Sequence, residues 1–271
     1  MVQTLTRQDK ILNQLTEESL KQVLFGDALA IQVPNFLETP LCQKLASWYE
    51  NHYQRQQYST EFYKDGKVFQ VNLGVLRIGT PYNLTYGKAK TDPIWEKYYL
   101  DAQINMQARQ SICFPHTDPI ELLKSKLCDL CEHGATIASF DDKPMFSGIG
   151  RVSLPNAKAN EIQPHCDCLP EDYQLDGQFG VNFYLEVPEE GGELKVWDMK
   201  PLTPLEIKKM NIEKQWQSPS IKTHLIKPQQ GDLVIINTRR PHAIKAYSEG
   251  KRISLATFMG YKHNQPFLMW T

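Results

Sequence analysis

The spacing of hydrophobic residues changes along the chain, from a largely helical period in the first half to short strand-like runs in the second. The segment TPLCQKLASWYENHY carries apolar residues at helical spacing, with Thr39 as the predicted N-cap and Pro40 as the first helical residue. The segment KVFQVNLGVLRIGTPYN is typical of a strand followed by a loop from Gly79 to Asn83. The first half is therefore predicted to contain both helices and strands, with several helices.

From about residue 145 the chain is punctuated by Gly, Pro, Asn and Asp, and short β-like runs follow one another. These runs are GIGRVSL, FGVNFYLEV, GELKVWD, KTHLIKP, GDLVIIN, HAIKAY and RISLATFMGY. Such a series predicts a sandwich or barrel, over about residues 145–262. We predict one structural unit, in which an N-terminal helical and strand region, 1–144, packs on a β core, 145–271.

Composition and charge narrow the function classes. The 271 residues include 41% hydrophobic ones, enough for a sizeable core. With 30 basic and 31 acidic residues the net charge is −1, which argues against a nucleic-acid partner bound through its phosphates. No apolar run is long enough for a membrane span, and MVQTLTRQDK lacks the apolar core of a secretory signal. We expect a cytoplasmic protein whose six cysteines are reduced thiols.

The chain contains two His-x-Asp stretches, and the first has a structural explanation. In FPHTDP, which contains His116, Asp118 is followed by Pro119 and by apolar residues at helical spacing. Asp118 is the predicted N-cap, Pro119 the first helical residue and Glu121 the capping partner. Cys128 and Cys131 lie further along this helix without a second C-x-x-C pair to complete a zinc site, so they are predicted to face the core.

The second stretch, QPHCDCLP, has no helical pattern after it, and its prolines favour an extended chain. Because side chains alternate in an extended chain, His165 and Asp167 point to one side. Cys166 and Cys168 then point to the other side and are not expected to bind metal beside the histidine. A histidine and a carboxylate on one face supply two of the three ligands of a 2-His-1-carboxylate site for non-haem Fe(II).

The segment GDLVIINTRRPHAIKAYSEGKRISLATF contains a candidate third ligand and a candidate pair for binding an anion. His242 opens a strand, Arg252 follows ten residues later (252 − 242), and Ser254 shares a strand face with Arg252. Iron with three protein ligands keeps positions open for a bidentate 2-oxo acid and dioxygen. The distal carboxylate of that acid needs a cation, and arginine offers a planar fork for it.

This ordered set, His165-x-Asp167, His242 and Arg252-x-Ser254, resembles the Fe(II)- and 2-oxoglutarate-dependent oxygenases. EEGGELKVWD and NFLETPLCQKLASW resemble the prolyl-hydroxylase-like branch. MFSGIGRVSL, leading into His165, resembles a bacterial subgroup that hydroxylates or halogenates free amino acids and specialised metabolites. The motif resemblance covers roughly residues 145–262. It implies a mainly β fold with helical additions, in which a double-stranded β-helix (a cupin-like jelly roll) follows N-terminal helices.

The resemblance also implies roles for individual residues. The implied iron ligands are His165, Asp167 and His242. Arg252, assisted by Ser254, is expected to hold the distal carboxylate of 2-oxoglutarate, and Asn182, which shares a strand face with Tyr184, is a further candidate contact. The implied cofactor and cosubstrates are Fe(II), 2-oxoglutarate and dioxygen. Halogenases of the subgroup carry Gly or Ala where this chain has Asp167, so hydroxylation of an aliphatic C–H is expected.

The expected substrate is a small metabolite, a free amino acid or its derivative. The alternatives are a prolyl- or lysyl-type hydroxylase of proteins, desaturation or ring closure in specialised-metabolite biosynthesis, and a non-catalytic cupin-like binding module. Arg77 and Arg151 interrupt otherwise apolar strands. One of them could bind a substrate carboxylate, but we favour reading both as edge charges. The sequence does not define the oligomeric state.

Overall fold

The strands form where hydrophobic residues alternate or run together, and they assemble into two main sheets. The computed structural model describes residues 10–64, 67–140, 142–155, 164–169, 174–213 and 218–271. Its strands are β1 (Ile11–Leu12), β2 (Ala30–Val33), β3 (Gln56–Lys64), β4 (Lys67–Ile78), β5 (Ala135–Ile137), β6 (Ser139–Phe140), β7 (Lys143–Pro144), β8 (Ile149–Ser153), β9 (Gly177–Glu186), β10 (Leu194–Trp197), β11 (Thr223–Ile226), β12 (Leu233–Asn237), β13 (His242–Ile244), β14 (Arg252–Tyr261) and β15 (Phe267–Trp270).

The helices lie mostly in the first half of the chain, as the hydrophobic spacing predicts. They are α1 (Glu17–Phe25), α2 (Thr39–Glu50), α3 (Pro93–Cys113), α4 (Pro119–Leu130) and α5 (Pro204–Glu213), with a 3-10 helix at Tyr82–Thr85. In the described ranges no helix combines the length and the apolar character needed to cross a membrane.

The larger sheet has the strand order β1-β2-β12-β9-β14-β8-β4-β3, with β15 beside β14. The smaller sheet has the order β11-β10-β13. The seven strands predicted beyond residue 145 correspond to β8 through β14. Antiparallel strands divided between two sheets confirm the double-stranded β-helix fold. The division of the chain at residue 144 stays a prediction.

The two faces of the larger sheet pack against different partners, because successive side chains of a strand point to opposite sides. One face carries Phe179, Val181 and Phe183 of β9, which join a buried cluster with Leu41 and Leu45 of α2. This face is covered by helices. The other face of the sheet, which we call the interior face, looks toward the smaller sheet.

Three hydrophobic side chains of the interior face contact the smaller sheet. Tyr184, Val234 and Ile236 form a buried cluster with Leu194 and Val196 of β10. The interior face is therefore the side on which a barrel site can form between the sheets.

Two local predictions are wrong by small shifts. Helix α2 begins at Thr39, so the N-cap is Glu38, and no side-chain hydrogen bond caps this end. The turn is favoured instead by Pro40, whose ring suits the start of a helix. The predicted loop from Gly79 to Asn83 is confirmed as far as residue 81, and a 3-10 helix begins at Tyr82, whose buried ring packs edge-on against Tyr98 with centroids 5.5 Å apart.

The prediction that both cysteines of the C-x-x-C pair face the core is wrong for one of them. Cys131 is buried, whereas Cys128 is exposed. Helix α4 ends at Leu130, so Cys131 leaves the helix and the two side chains do not share a helical face. The Ala135 backbone nitrogen, at the start of β5, donates a hydrogen bond to the Cys128 sulfur over 3.5 Å.

Asp118 is the N-cap of α4, as predicted. Its Oδ1 accepts hydrogen bonds from the backbone nitrogens of Ile120 (2.9 Å) and Glu121 (3.4 Å). The Glu121 carboxylate pairs with Lys124 rather than completing the predicted capping box. Asp118 has a second role that the sequence pattern does not indicate, a buried ion pair with Arg109.

Candidate metal and cosubstrate site

Backbone hydrogen bonds place the second His-x-Asp stretch against the end of β12 and the start of β13. The His165 nitrogen donates to the His242 carbonyl (3.1 Å), and the His242 nitrogen donates to the His165 carbonyl (3.0 Å). Asp167 is held by Thr238, whose carbonyl accepts from the Asp167 nitrogen at 2.9 Å. The Thr238 methyl group lies so close to Gly180 that a Cβ there would be 2.6 Å away, so β9 needs glycine at this position.

The three side chains predicted to bind metal converge. One ligand atom from each of His165, Asp167 and His242 lies within 4.8 Å of the others. The Asp167 Oδ2 is 3.4 Å from the His242 Nε2 and 3.9 Å from the His165 Nε2. The His242 Nδ1 is 3.0 Å from the Arg240 carbonyl, so we assign the proton to Nδ1, which leaves Nε2 free to bind metal.

The site is open on one side. The His165 side chain is 55% exposed, whereas that of His242 is only 10% exposed. A metal held between them would rest on a buried histidine and face solvent or substrate on the His165 side. Two histidines and one carboxylate around an accessible point form a donor set that suits non-haem Fe(II).

The charge state of the carboxylate also suits a cation. Burial alone would raise the pKa of the Asp167 carboxyl, but the neighbouring His165 and His242 rings and the Arg151 guanidinium hold that pKa well below its usual range. Asp167 is therefore ionised at neutral pH. Burial raises the pKa of the Cys166 thiol to about 12, so this sulfur is protonated at neutral pH and a poor metal ligand.

The predicted cosubstrate pair lies deep on the interior face. Arg252 and Ser254 are 4% and 0% exposed. The Arg252 Nε and the Ser254 Oγ are buried and have no hydrogen-bond partner among the described residues. Buried polar atoms are nearly always satisfied in folded proteins, so two unsatisfied ones on one strand face indicate a missing polar ligand. A carboxylate fits both atoms.

Tyr184 lies against Arg252 of this pair. Its hydroxyl is 3.2 Å from the Arg252 Nη2, and its ring lies 5.0 Å from the Arg252 guanidinium carbon. The sequence pattern places Tyr184 only on the face shared with Asn182. The signal that could have found the contact is register, because β9 sets Tyr184 directly opposite Ser254. Asn182 is half-buried and lies opposite Ala256 on the same interior face.

The prediction that Arg77 and Arg151 are edge charges is wrong. Arg77 lies on β4 and Arg151 on β8, both inside the larger sheet, and the two residues are directly opposite each other. Arg151 is also directly opposite Ser254, which lies on the neighbouring strand β14. Strand register, which a single sequence does not reveal, places both arginines on the interior face.

The first His-x-Asp stretch lies outside this cluster. His116 contacts Glu38, with 3.5 Å between its Nδ1 and the carboxylate, and Asp118 is occupied by Arg109. The structure thus brings together the second stretch and His242, and leaves the first as a helix cap.

Comparison with known proteins agrees with this geometry. Residues 152–260 match the model of the 2OG-Fe(II) oxygenase superfamily, a span that contains His165, Asp167, His242, Arg252 and Ser254. The family match over these residues and the converging triad both support the resemblance of this part of the chain to the 2OG-Fe(II) oxygenase superfamily. Its members are enzymes that use Fe(II), 2-oxoglutarate and dioxygen, so the predicted cofactor and cosubstrates are confirmed at this level.

Individual relatives are distant. An L-isoleucine 3(1)-dioxygenase from Pantoea ananatis (strain AJ13355) is 24% identical over 127 residues, which cover 41% of this chain and 42% of that protein. The chain therefore spans less than half of that relative's length in the match. A crystal structure of an N-substituted L-amino acid dioxygenase from Burkholderia ambifaria AMMD is 14% identical, with a TM-score of 0.45 over 80% of this chain and 100% of that one. HygX from Streptomyces hygroscopicus, with nickel and 2-oxoglutarate bound, is 12% identical, with a TM-score of 0.45 over 93% of this chain and 89% of that one.

Proposed function

We propose that the protein is a hydroxylase that oxidises an unactivated aliphatic C–H of a small amino acid or amino-acid derivative. The observation that carries this proposal is the convergence of His165, Asp167 and His242 beside an interior face on which Arg252 and Ser254 have unsatisfied polar atoms. In the net reaction, substrate, 2-oxoglutarate and dioxygen give hydroxylated substrate, succinate and carbon dioxide. The amino-acid dioxygenases among the relatives support the substrate class.

In this proposal the protein side chains divide the work. His165, Asp167 and His242 hold Fe(II), and the His242 ring is oriented by the Arg240 carbonyl. Bound Fe(II) supplies the activation of dioxygen that couples decarboxylation of 2-oxoglutarate to oxidation of the substrate. Arg252 and Ser254 hold the distal carboxylate of 2-oxoglutarate, and Asn182 is a further candidate contact. The Tyr184 hydroxyl supports the Arg252 guanidinium from the side, at 3.2 Å.

Asp167 favours hydroxylation over halogenation. Its carboxylate would occupy the coordination position that a halide needs, and its negative charge disfavours a second anion on the metal. The test is mass spectrometry of the product formed with Fe(II), 2-oxoglutarate, oxygen and excess chloride. A gain of one oxygen supports hydroxylation. A chlorinated main product would overturn the role given to Asp167, and a loss of two hydrogens would favour desaturation or ring closure.

A further inference from the structure

The interior face carries more positive charge than the cosubstrate needs. Arg252 lies on β14, Arg151 on the neighbouring β8, and Arg77 on β4 beyond it. The distal carboxylate of 2-oxoglutarate requires one arginine fork, which Arg252 supplies in the proposed function. Two guanidinium groups on the same face thus have no assigned anion.

The pairing of these two arginines is unfavourable without a ligand. Arg77 and Arg151 are directly opposite in antiparallel strands, and like charges at such positions repel. Arg77 is 8% exposed, which adds a desolvation penalty to the repulsion. An anion between the two groups would remove the conflict.

The unsatisfied donors indicate where such an anion would bind. The Nε atoms of Arg77 and Arg151 are both buried without a hydrogen-bond partner among the described residues. Burial lowers the pKa of Arg77 and the negative charge of Asp101 opposes this effect, so Arg77 has a partial counter-charge. For Arg151 the contact among the described residues is the Tyr58 ring, 5.8 Å from its guanidinium carbon. Among the described residues Arg151 is therefore the less compensated of the two, and it lies directly opposite Ser254 of the candidate cosubstrate pair.

We infer that Arg151, supported by Arg77, binds the α-carboxylate of the amino-acid substrate beside the metal site. This assignment rests on the proposed function and adds the group that orients the substrate. A planar guanidinium binds a carboxylate through two parallel hydrogen bonds, so it fixes the direction of the substrate as well as its position. The Tyr58 side chain, hydrogen-bonded to Asn83 at 3.0 Å, lies against Arg151 as a wall of this subsite.

The experiment compares two probe pools in a succinate-formation assay with Fe(II), 2-oxoglutarate and oxygen. One pool contains the common free L-α-amino acids, and the other contains their α-carboxamides, which keep the side chains but lack the negative charge. The enzymes are the unmodified protein, Arg151→Gln, and Lys126→Gln as a matched control that removes an exposed charge from α4. We expect the free acids, but not the carboxamides, to stimulate succinate formation.

Arg151→Gln should raise the amino-acid concentration required for half-maximal stimulation by about 30-fold or more, the range expected when a charged partner is removed. Lys126→Gln should behave as the unmodified protein. The visible band of the anaerobic Fe(II)–2-oxoglutarate complex should still form in Arg151→Gln. Without substrate its melting temperature should be unchanged or higher, because the variant relieves the repulsion with Arg77.

Several results would overturn the inference. In the succinate assay these are equal stimulation by the carboxamides, stimulation by neither pool, or stimulation of Arg151→Gln at the same amino-acid concentrations as the unmodified protein. A lower melting temperature of Arg151→Gln, or a weaker 2-oxoglutarate complex in that variant, would also overturn it. If the band forms in the unmodified protein, these outcomes leave the proposed function standing. If the band does not form there, the proposed function itself fails.

Discussion

Asp118→Ala should destabilise the fold by about 3–5 kcal/mol, because it leaves a buried arginine without its counter-charge. The Arg109 Nε lies 2.6 Å from the Asp118 Oδ2, and the Nη2 lies 3.3 Å from the Oδ1. The two side chains are 2% and 3% exposed. The sequence pattern alone, which shows only an N-cap, would give about 0.5–2 kcal/mol. The ion pair therefore decides the magnitude.

The position of Arg109 explains why the loss should affect the whole fold. Its Nη1 also donates to the carbonyls of Ser147 (3.0 Å) and Gly148 (2.7 Å), directly before β8. Arg109 thus joins α3, the start of α4 and the strand that carries Arg151. Urea unfolding of the purified variant measures the change as a lower midpoint at an unchanged slope.

Two further variants separate the cap from the ion pair. Asp118→Asn keeps an oxygen that can cap α4 but loses the charge, so it should retain most of the destabilisation. Glu121→Ala is the matched control in the same helical turn, because its partner Lys124 is about one-third exposed and such pairs contribute about 0–1 kcal/mol. If Asp118→Ala and Glu121→Ala lower the free energy of unfolding equally, the reasoning is refuted.

Three other predictions concern the site. Arg252→Ala should raise the 2-oxoglutarate requirement by about 30-fold to several-thousand-fold while iron binding persists, and an unchanged cosubstrate titration would contradict the assignment. Asp167→Gly should abolish native hydroxylation, as measured by product mass spectrometry, and retained hydroxylation would remove Asp167 from the ligand set. Cys166→Ser and Cys168→Ser should keep iron in a metal-content assay, since neither sulfur belongs to the converging cluster. Loss of iron in either variant would contradict this.

The fold was largely predictable because its strands are marked locally. Each of β8 through β14 is a short apolar run bounded by turn residues, and the antiparallel strands of a jelly roll need only those signals. The helix at Asp118 was predictable for the same reason, since cap and periodicity lie within a few residues. The start of α2 shifted by one residue because Pro40 fits more than one position in the first turn.

The metal cluster was predictable in composition, whereas its surroundings were not. The alternation of an extended chain places His165 and Asp167 together, and the order of the later motifs gives His242. The arginine pair on β4 and β8 and the contact of Tyr184 with Arg252 depend on which strands are neighbours and in what register. Both are properties of long-range pairing, and spacing along one chain does not encode them.

The most direct test of the account is the visible absorption band that Fe(II) and 2-oxoglutarate form together in an anaerobic titration. The unmodified protein and His116→Ala should form the band, and His165→Ala should not, because His165 belongs to the metal cluster and His116 contacts Glu38 outside it. Absence of the band in the unmodified protein would contradict the central claim. A band that survives in His165→Ala and disappears in His116→Ala would show that the other His-x-Asp stretch binds the metal.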